Sequence, residues 1–226
     1  MSRHLQTLRS GWITARDLLG GLLIGVALGG VLDEVLKFLP VLPRRAISAL
    51  AAAGVLGVAG SWWGRHMAHL AGVHDERYPG RTAAIAFGPS VVLIGLALAA
   101  LEPRLVARGA DAGWPIHVVF TLLFVPTALV IAAIGGFALG FGMRDLRFGA
   151  TLAIRAGLSA ALAFLIINVI MDALGWRVGG PNAARRGTML VVTALSSAAA
   201  ALAAGSAIGH RLFRNSPHAS PPHAAG

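Results

Sequence analysis

The chain has 226 residues, of which 56% are hydrophobic and only 12% charged, and its mean hydropathy is +0.74. Soluble domains carry roughly 25% charged residues, so this chain has too little polar surface to cover a water-exposed globule. The net charge of +10 would suit a nucleic-acid partner, but the arginines fall in short clusters between apolar runs and form no contiguous basic surface. The composition therefore predicts an integral membrane protein, with the lipid bilayer and not nucleic acid as its partner.

The chain contains no cysteine, which excludes disulfides, thiolate metal sites, iron–sulfur clusters and cysteine nucleophiles. Its one lysine, Lys37, follows no glycine-rich loop, and neither an HExxH nor a GxSxG motif occurs. No two histidines are spaced to ligate a haem across a helix bundle. We therefore predict no catalytic residues and no cofactor, so an enzyme is the less favoured class. The preference for arginine over lysine, with abundant alanine and glycine, is typical of a GC-rich bacterial genome.

Six apolar stretches are long enough to cross a membrane, since a spanning helix needs roughly 20 mostly apolar residues. Their ends are marked by tryptophans, which prefer the membrane–water interface. The fold class predicted for residues 18–208 is thus all-α, a polytopic bundle of six transmembrane helices arranged as three antiparallel hairpins. The predicted spans are Leu18–Phe38, Ile47–Trp63, Ala83–Leu101, His117–Leu139, Ala150–Leu174 and Thr188–Ile208.

The segments outside the spans are short. Residues 1–17 are predicted to be a cytoplasmic N-terminal segment, and residues 209–226 a disordered C-terminal tail because the tail has few large apolar residues. Eleven arginines fall on the side of the termini, against eight basic residues on the other side. The positive-inside rule then places both termini in the cytoplasm, with the chain in a bacterial inner (plasma) membrane.

Three segments of the chain resemble one another, which suggests a triplicated two-helix repeat. Thr14, Thr82 and Thr151 are spaced 68 and 69 residues apart, and each is followed six residues later by glycine. The corresponding hairpin units are about residues 14–66, 82–145 and 151–211. An even number of spans in each unit would relate the units by an axis along the membrane normal. The alternative is chance similarity between helices rich in alanine and glycine.

The second helix of each unit ends in a pair of glycines four residues apart, followed by arginine. Small residues at this spacing let helices approach closely in a membrane, where apolar burial provides no driving force for association. We therefore predict helix packing at these pairs, which are Gly60 and Gly64, Gly136 and Gly140, and Gly205 and Gly209.

An acid follows each repeat threonine by nineteen to twenty-one residues: Asp33, Glu102 and Asp172. Carboxylates at membrane depth are costly and often line a substrate pathway, so these three residues are candidates for an outer acidic ring at one mouth of the bundle. The alternative is that these acids sit among the lipid headgroups.

The segment after the second span carries histidines near acids. His66, His69 and His74 are acceptable ligands for zinc or another divalent ion, and they are the only metal candidates here. A solvated interfacial loop is the favoured interpretation, so no metal site is predicted.

Two functional classes remain open. The first is a small-solute or ion transporter or channel-like protein, with the acidic ring at its mouth. The second is a non-catalytic scaffold or assembly subunit, which would use the glycine grooves to dock other membrane subunits or a second copy of the chain.

Overall fold

The computed structural model describes residues 3–114, 116–174 and 186–214. Within these ranges the chain is all-helical, with six α-helices and no strand. The helices are α1 (Arg3–Val35), α2 (Val41–Leu70), α3 (Arg77–Asp111), α4 (Ile116–Gly142), α5 (Leu146–Ala173) and α6 (Arg186–Arg214).

The helices extend beyond the predicted apolar spans. α1 begins at Arg3 and includes most of the segment predicted to precede the first span, and α6 continues to Arg214, so the predicted C-terminal tail begins as helix. Residues 215–226 of that tail lie outside the described ranges. The extra turns carry arginines, which can keep a charged head in water while their stems cover apolar surface.

Three helices are long and apolar enough to cross a membrane by length and composition. They contain the stretches Ala46–Leu70 in α2, Thr121–Gly142 in α4 and Leu146–Ala173 in α5. The chain therefore has the character of a membrane protein, and the other three spans remain predictions.

The helices form a closed ring. Each packs against the helix before it and the helix after it, and α6 packs back against α1. Neighbours run in opposite directions: Gly21 of α1 lies against Ala59 of α2, whereas Gly25, further along α1, lies against Ala52. This alternation gives the ring two ends. We call the end with the start of α1 and the end of α6 the termini end, and the opposite end the far end.

The tightest packing lies toward the termini end. The largest fully buried side chains there include Trp63 and Met67 of α2, Leu139 of α4, Leu152 of α5 and Ile208 of α6. All six helices contribute to one continuous cluster, which α1 joins through Ile13. This end of the ring is therefore a packed core.

Short turns join α1 to α2, α2 to α3 and α4 to α5. Gly72 and Gly113 have φ values of +72° and +65°, the left-handed conformation that commonly ends a helix. At the termini end, the Asp145 side chain accepts a hydrogen bond of 2.9 Å from the Phe148 backbone N–H and caps α5. The brevity of these turns keeps helices that are adjacent in sequence adjacent in space.

Candidate functional site

A chamber of about 290 Å³ lies inside the ring, and residues from all six helices line it. The α1 residues lining it run from Thr14 to Leu22, which corresponds to roughly 12 Å along the helix axis. The chamber thus occupies the part of the ring directly beyond the packed core. A cavity with contributions from every helix is a property of the whole ring and not of one helix pair.

Aromatic side chains form much of the chamber wall. Trp63 and Phe87 meet edge to face with ring centroids 5.6 Å apart, and Phe124 and Phe164 are stacked at 6.4 Å. Both separations fall in the range favoured by aromatic pairs. The remaining wall consists largely of leucine and alanine side chains, so the chamber is apolar.

A hydrogen-bonded floor closes the chamber at the termini end. The Trp63 indole N–H donates to the Thr14 hydroxyl oxygen at 2.7 Å, and the Thr14 hydroxyl donates to the Ser10 carbonyl at 3.0 Å. The Ser10 hydroxyl contacts the carbonyls of Thr7 at 2.7 Å and Gly205 at 3.2 Å. This network joins α1, α2 and α6, and its polar atoms already have partners.

A charged cluster lies beside the floor, on the outer side of α1 and α2. Asp17 accepts from Arg16 at 2.8 Å and lies 2.9 Å from the His66 ring nitrogen Nδ1. The Asp17 side chain is only 7% exposed, so these two partners offset the cost of burying its charge. The cluster links α1 to α2 on the outer side of the floor, and none of its residues lines the chamber.

Polar groups on the chamber wall are few. Besides Thr14 and the Trp63 indole, they are Thr127 and Ser197. The Thr127 hydroxyl donates to the Leu123 carbonyl at 2.8 Å, the local bond typical of threonine inside a helix. Among the described residues no charged side chain lines the chamber, so it has nothing to neutralise an ion.

The six predicted packing glycines all lie against the next helix around the ring. A methyl group on Gly64 of α2 would come within 2.6 Å of the Pro79 carbonyl oxygen of α3. One on Gly136 of α4 would come within 2.7 Å of the Leu152 carbonyl oxygen of α5. One on Gly205 of α6 would come within 2.5 Å of the Thr14 side chain of α1.

The other member of each pair is equally close. A methyl group would meet Phe87 from Gly60, Gly149 from Gly140 and Ser10 from Gly209. Each pair is therefore occupied by a helix of the same chain, and none forms an open groove. The second helix of each predicted unit packs against the first helix of the next unit, including α6 against α1.

The glycines that follow the three repeat threonines are not equivalently packed. Gly88 and Gly157, six residues after their repeat threonines, lie against α2 and α4 at 3.3 Å and 3.0 Å. Their counterpart Gly20 has nothing within 4 Å of its Cβ position. Gly20 instead borders a surface pocket between α1 and α2, together with Ala51 and Val58.

The predicted acidic residues all lie toward the far end. Asp33 is in the last turn of α1, Glu102 is in α3 and Asp172 is next to the last residue of α5. Asp172 is half-buried, whereas the side chains of Asp33 and Glu102 are not among those described. The acidic ring therefore remains a prediction.

The predicted metal candidates are drawn to different partners. His66 pairs with Asp17, while the His69 Nδ1 lies 2.6 Å from Glu76. His74 follows α2 in an exposed turn. Within the described ranges no three histidine or acidic side chains come together as a metal site.

Sequence patterns did not identify the chamber residues. The sequence predicts that the tryptophans at the span ends lie at the membrane interface, but near the end of α2 only Trp62 points outward, with 61% of its surface exposed. Trp63 is 1% exposed and forms part of the floor. Two adjacent residues on a helix point about 100° apart, so the two rings of a Trp-Trp pair face different sides of the helix. That geometry indicates different surroundings for the two rings, and the packing of α2 decides that Trp63 is the buried one.

No family model, no curated protein and no solved structure matches this chain.

Proposed function

We propose that this chain is an integral membrane protein that crosses the bilayer six times and acts as a transporter or channel-like protein for a small uncharged solute, held in the chamber. The observation that carries the proposal is the chamber itself, lined by all six helices of a closed ring. Solute sites of membrane transporters often lie between repeated helical units near the middle of the bundle.

The outer surface of the ring supports six spans. Large apolar side chains are strongly exposed on every helix, a pattern that soluble monomers avoid and that lipid accommodates. Examples from α1 to α6 in order are Ile24, Val58, Ile85, Leu122, Leu158 and Leu202. Crossing by α2, α4 and α5 alone would leave such residues on α1, α3 and α6 in water.

The direction of packing supports three related hairpin units. The glycine pair of each second helix meets the first helix of the following unit, as a cyclic arrangement requires. A closed ring of three such units has its axis along the membrane normal, and the chamber lies on that axis. The first unit departs from the other two at Gly20, which lies against no neighbouring helix, whereas Gly88 and Gly157 do.

The chamber favours an uncharged solute over an ion. Burying an unpaired charge among apolar side chains is strongly unfavourable, and the described lining carries no charged group. The scaffold alternative loses the feature that favoured it, because the glycine pairs are filled by helices of the same chain.

The number of spans is tested by reporter fusions. Fusions after Arg77 and after Arg214 should report a cytoplasmic location, and a fusion after Arg108 an external one. Equal signals after Arg77 and Arg108 would remove the third span and with it the closed transmembrane ring.

The transport activity is tested with purified protein in proteoliposomes loaded with radiolabelled alkyl glucosides, which are uncharged and have graded apolar tails. We expect efflux faster than from empty liposomes, and no increase in ion conductance. Ala128→Phe, which adds a ring to the chamber wall, should slow efflux, whereas Ala97→Phe on the exposed face of α3 should not. Efflux that is identical with and without protein for every glucoside would contradict the proposal.

A further inference from the structure

The chamber has the chemistry of a hydrocarbon site. Its walls are leucine, alanine and aromatic side chains, and its described lining contains no charge. Resting on the function proposed above, we propose that the chamber binds the hydrocarbon part of an amphiphile, so that the solute carries an apolar tail and a polar head outside the chamber. An entirely apolar solute would need no protein to cross a bilayer, whereas the polar head of an amphiphile makes crossing slow.

The volume limits the size of the bound group. An apolar cavity of about 150 Å³ stays dry and holds benzene, and this chamber measures about 290 Å³. It therefore suits a hydrocarbon group about twice the size of benzene, such as a decyl chain or a naphthyl ring. A complete lipid with two long chains does not fit, but the end of one such chain does.

Three of the polar groups on the chamber wall already donate their hydrogens within the protein. The Trp63 N–H is used by Thr14, and the Thr14 and Thr127 hydroxyls are used by backbone carbonyls. A ligand acceptor would have to displace one of these three donors, pair with Ser197 or remain unpaired, and an unpaired buried polar group is unfavourable. An apolar group incurs no such cost, and this difference selects hydrocarbon.

The fold also limits the direction of entry. The termini end is closed by the Trp63–Thr14–Ser10 floor and by the packed core beneath it. The tail therefore enters from the far-end side of the floor, along the ring axis, and its tip stops at Trp63.

Trp63 can report specifically on the chamber, because its ring lines the cavity and only 1% of the residue's surface is exposed to solvent. The probe is decyl alcohol with a bromine at the end of its chain, since bromine quenches indole fluorescence on contact. The protein is full-length chain in liposomes with Trp63 as its single tryptophan. The replaced residues are Trp12→Phe, Trp62→Phe, Trp114→Phe and Trp176→Phe.

We expect the bromodecanol to quench the Trp63 fluorescence saturably. At saturation Trp63 should lose at least half of its emission. A matched protein with Trp62 as its single tryptophan should show quenching that rises without saturation, because Trp62 faces the lipid. In the Trp63 background, Ala128→Phe should reduce the saturable part at least fivefold with unchanged thermal stability, and Ala97→Phe should leave it intact. If Ala128→Phe does not fold, Ala132→Phe provides a second filled chamber.

A second arm distinguishes two sources of hydrocarbon. Saturable quenching by a phospholipid with brominated acyl chains would identify the tail of a membrane lipid, and quenching by bromodecanol alone would identify a free amphiphile. Quenching of Trp63 by acrylamide, a water-soluble uncharged quencher, without quenching by bromodecanol would overturn the hydrocarbon site while leaving solute transport standing. No quenching by any of the three would overturn both.

Discussion

Gly136 provides the sharpest test of the packing between units. A Cβ at this position would lie 2.7 Å from the Leu152 carbonyl oxygen, 2.8 Å from its carbonyl carbon and 2.9 Å from the Ala153 nitrogen. All three atoms are backbone, so no side chain can turn away to make room. Because non-bonded heavy atoms pack best at roughly 3.5–4.0 Å, Gly136→Ala must push α4 and α5 apart by about 0.5–1 Å.

Two effects oppose each other in this variant. Overpacking a close contact costs roughly 1–3 kcal/mol, and alanine in place of a helical glycine returns about 1 kcal/mol through helix propensity. The expected net loss in free energy of unfolding is therefore about 1 kcal/mol, and no more than about 2. Gly54→Ala isolates the favourable term, because nothing lies within 4 Å of the Gly54 Cβ position, and it should leave stability equal or slightly higher.

Stability is measured by denaturant titration of the purified proteins in one mild detergent, following tryptophan fluorescence. Leucine at Gly64, Gly140 or Gly209 should lower stability further than alanine does, because each site has backbone or a short side chain within contact distance. If Gly136→Ala is as stable as Gly54→Ala, the close seam between α4 and α5 is wrong.

Two further predictions concern the hydrogen-bonded floor and the charged cluster beside it. Trp63→Phe should destabilise the protein by about 1–2 kcal/mol, because it removes the bond to Thr14 and leaves space in the core. Trp62→Phe on the outer face should change stability by less than about 0.5 kcal/mol, and equal effects would contradict the floor. His66→Ala should lower the free energy of unfolding by about 1–3 kcal/mol, because it removes a partner from the buried Asp17 carboxylate. His69→Ala should have almost no effect, because the His69 side chain is 73% exposed. Thermal melts compare the two variants, and a less stable His69→Ala would contradict this reasoning.

The sequence was informative where one residue type has one physical consequence. A long apolar run that crosses lipid forms a helix, because a helix pairs its backbone N–H and C=O groups within the segment. The all-helical chain with three strongly apolar helices agrees with that expectation. The glycine pairs were visible because their spacing places both residues on one helix face. Which helix they would meet was not visible, since a small residue permits a close approach without specifying the partner.

The chamber could not be predicted from the sequence, for a different reason. Its wall uses leucine, alanine and phenylalanine, the same residues that face lipid, so no composition signal separates inside from outside in α4 or α6. Thr14 was noticed as a repeat marker, and its hydrogen bond to Trp63 depends on the register between α1 and α2. That register is set by tertiary packing and leaves no trace in local spacing.

The acids at the far end test the cyclic arrangement directly. α1, α3 and α5 alternate with the other helices around the ring, and adjacent helix axes lie roughly 8–10 Å apart. In a regular ring of six, alternate helices are then about 14–17 Å apart. Because the chain has no native cysteine, Asp33→Cys, Glu102→Cys and Asp172→Cys can be combined in pairs and spin-labelled without background. Pulsed dipolar spectroscopy should give three similar distances, as three equivalent positions around one axis require. One distance longer than the others by more than a helix diameter, about 10 Å, would mean that the acids face different sides of the bundle as headgroup anchors. Clustered carboxylates at one mouth would then no longer be available to gather cations or the polar head of a solute.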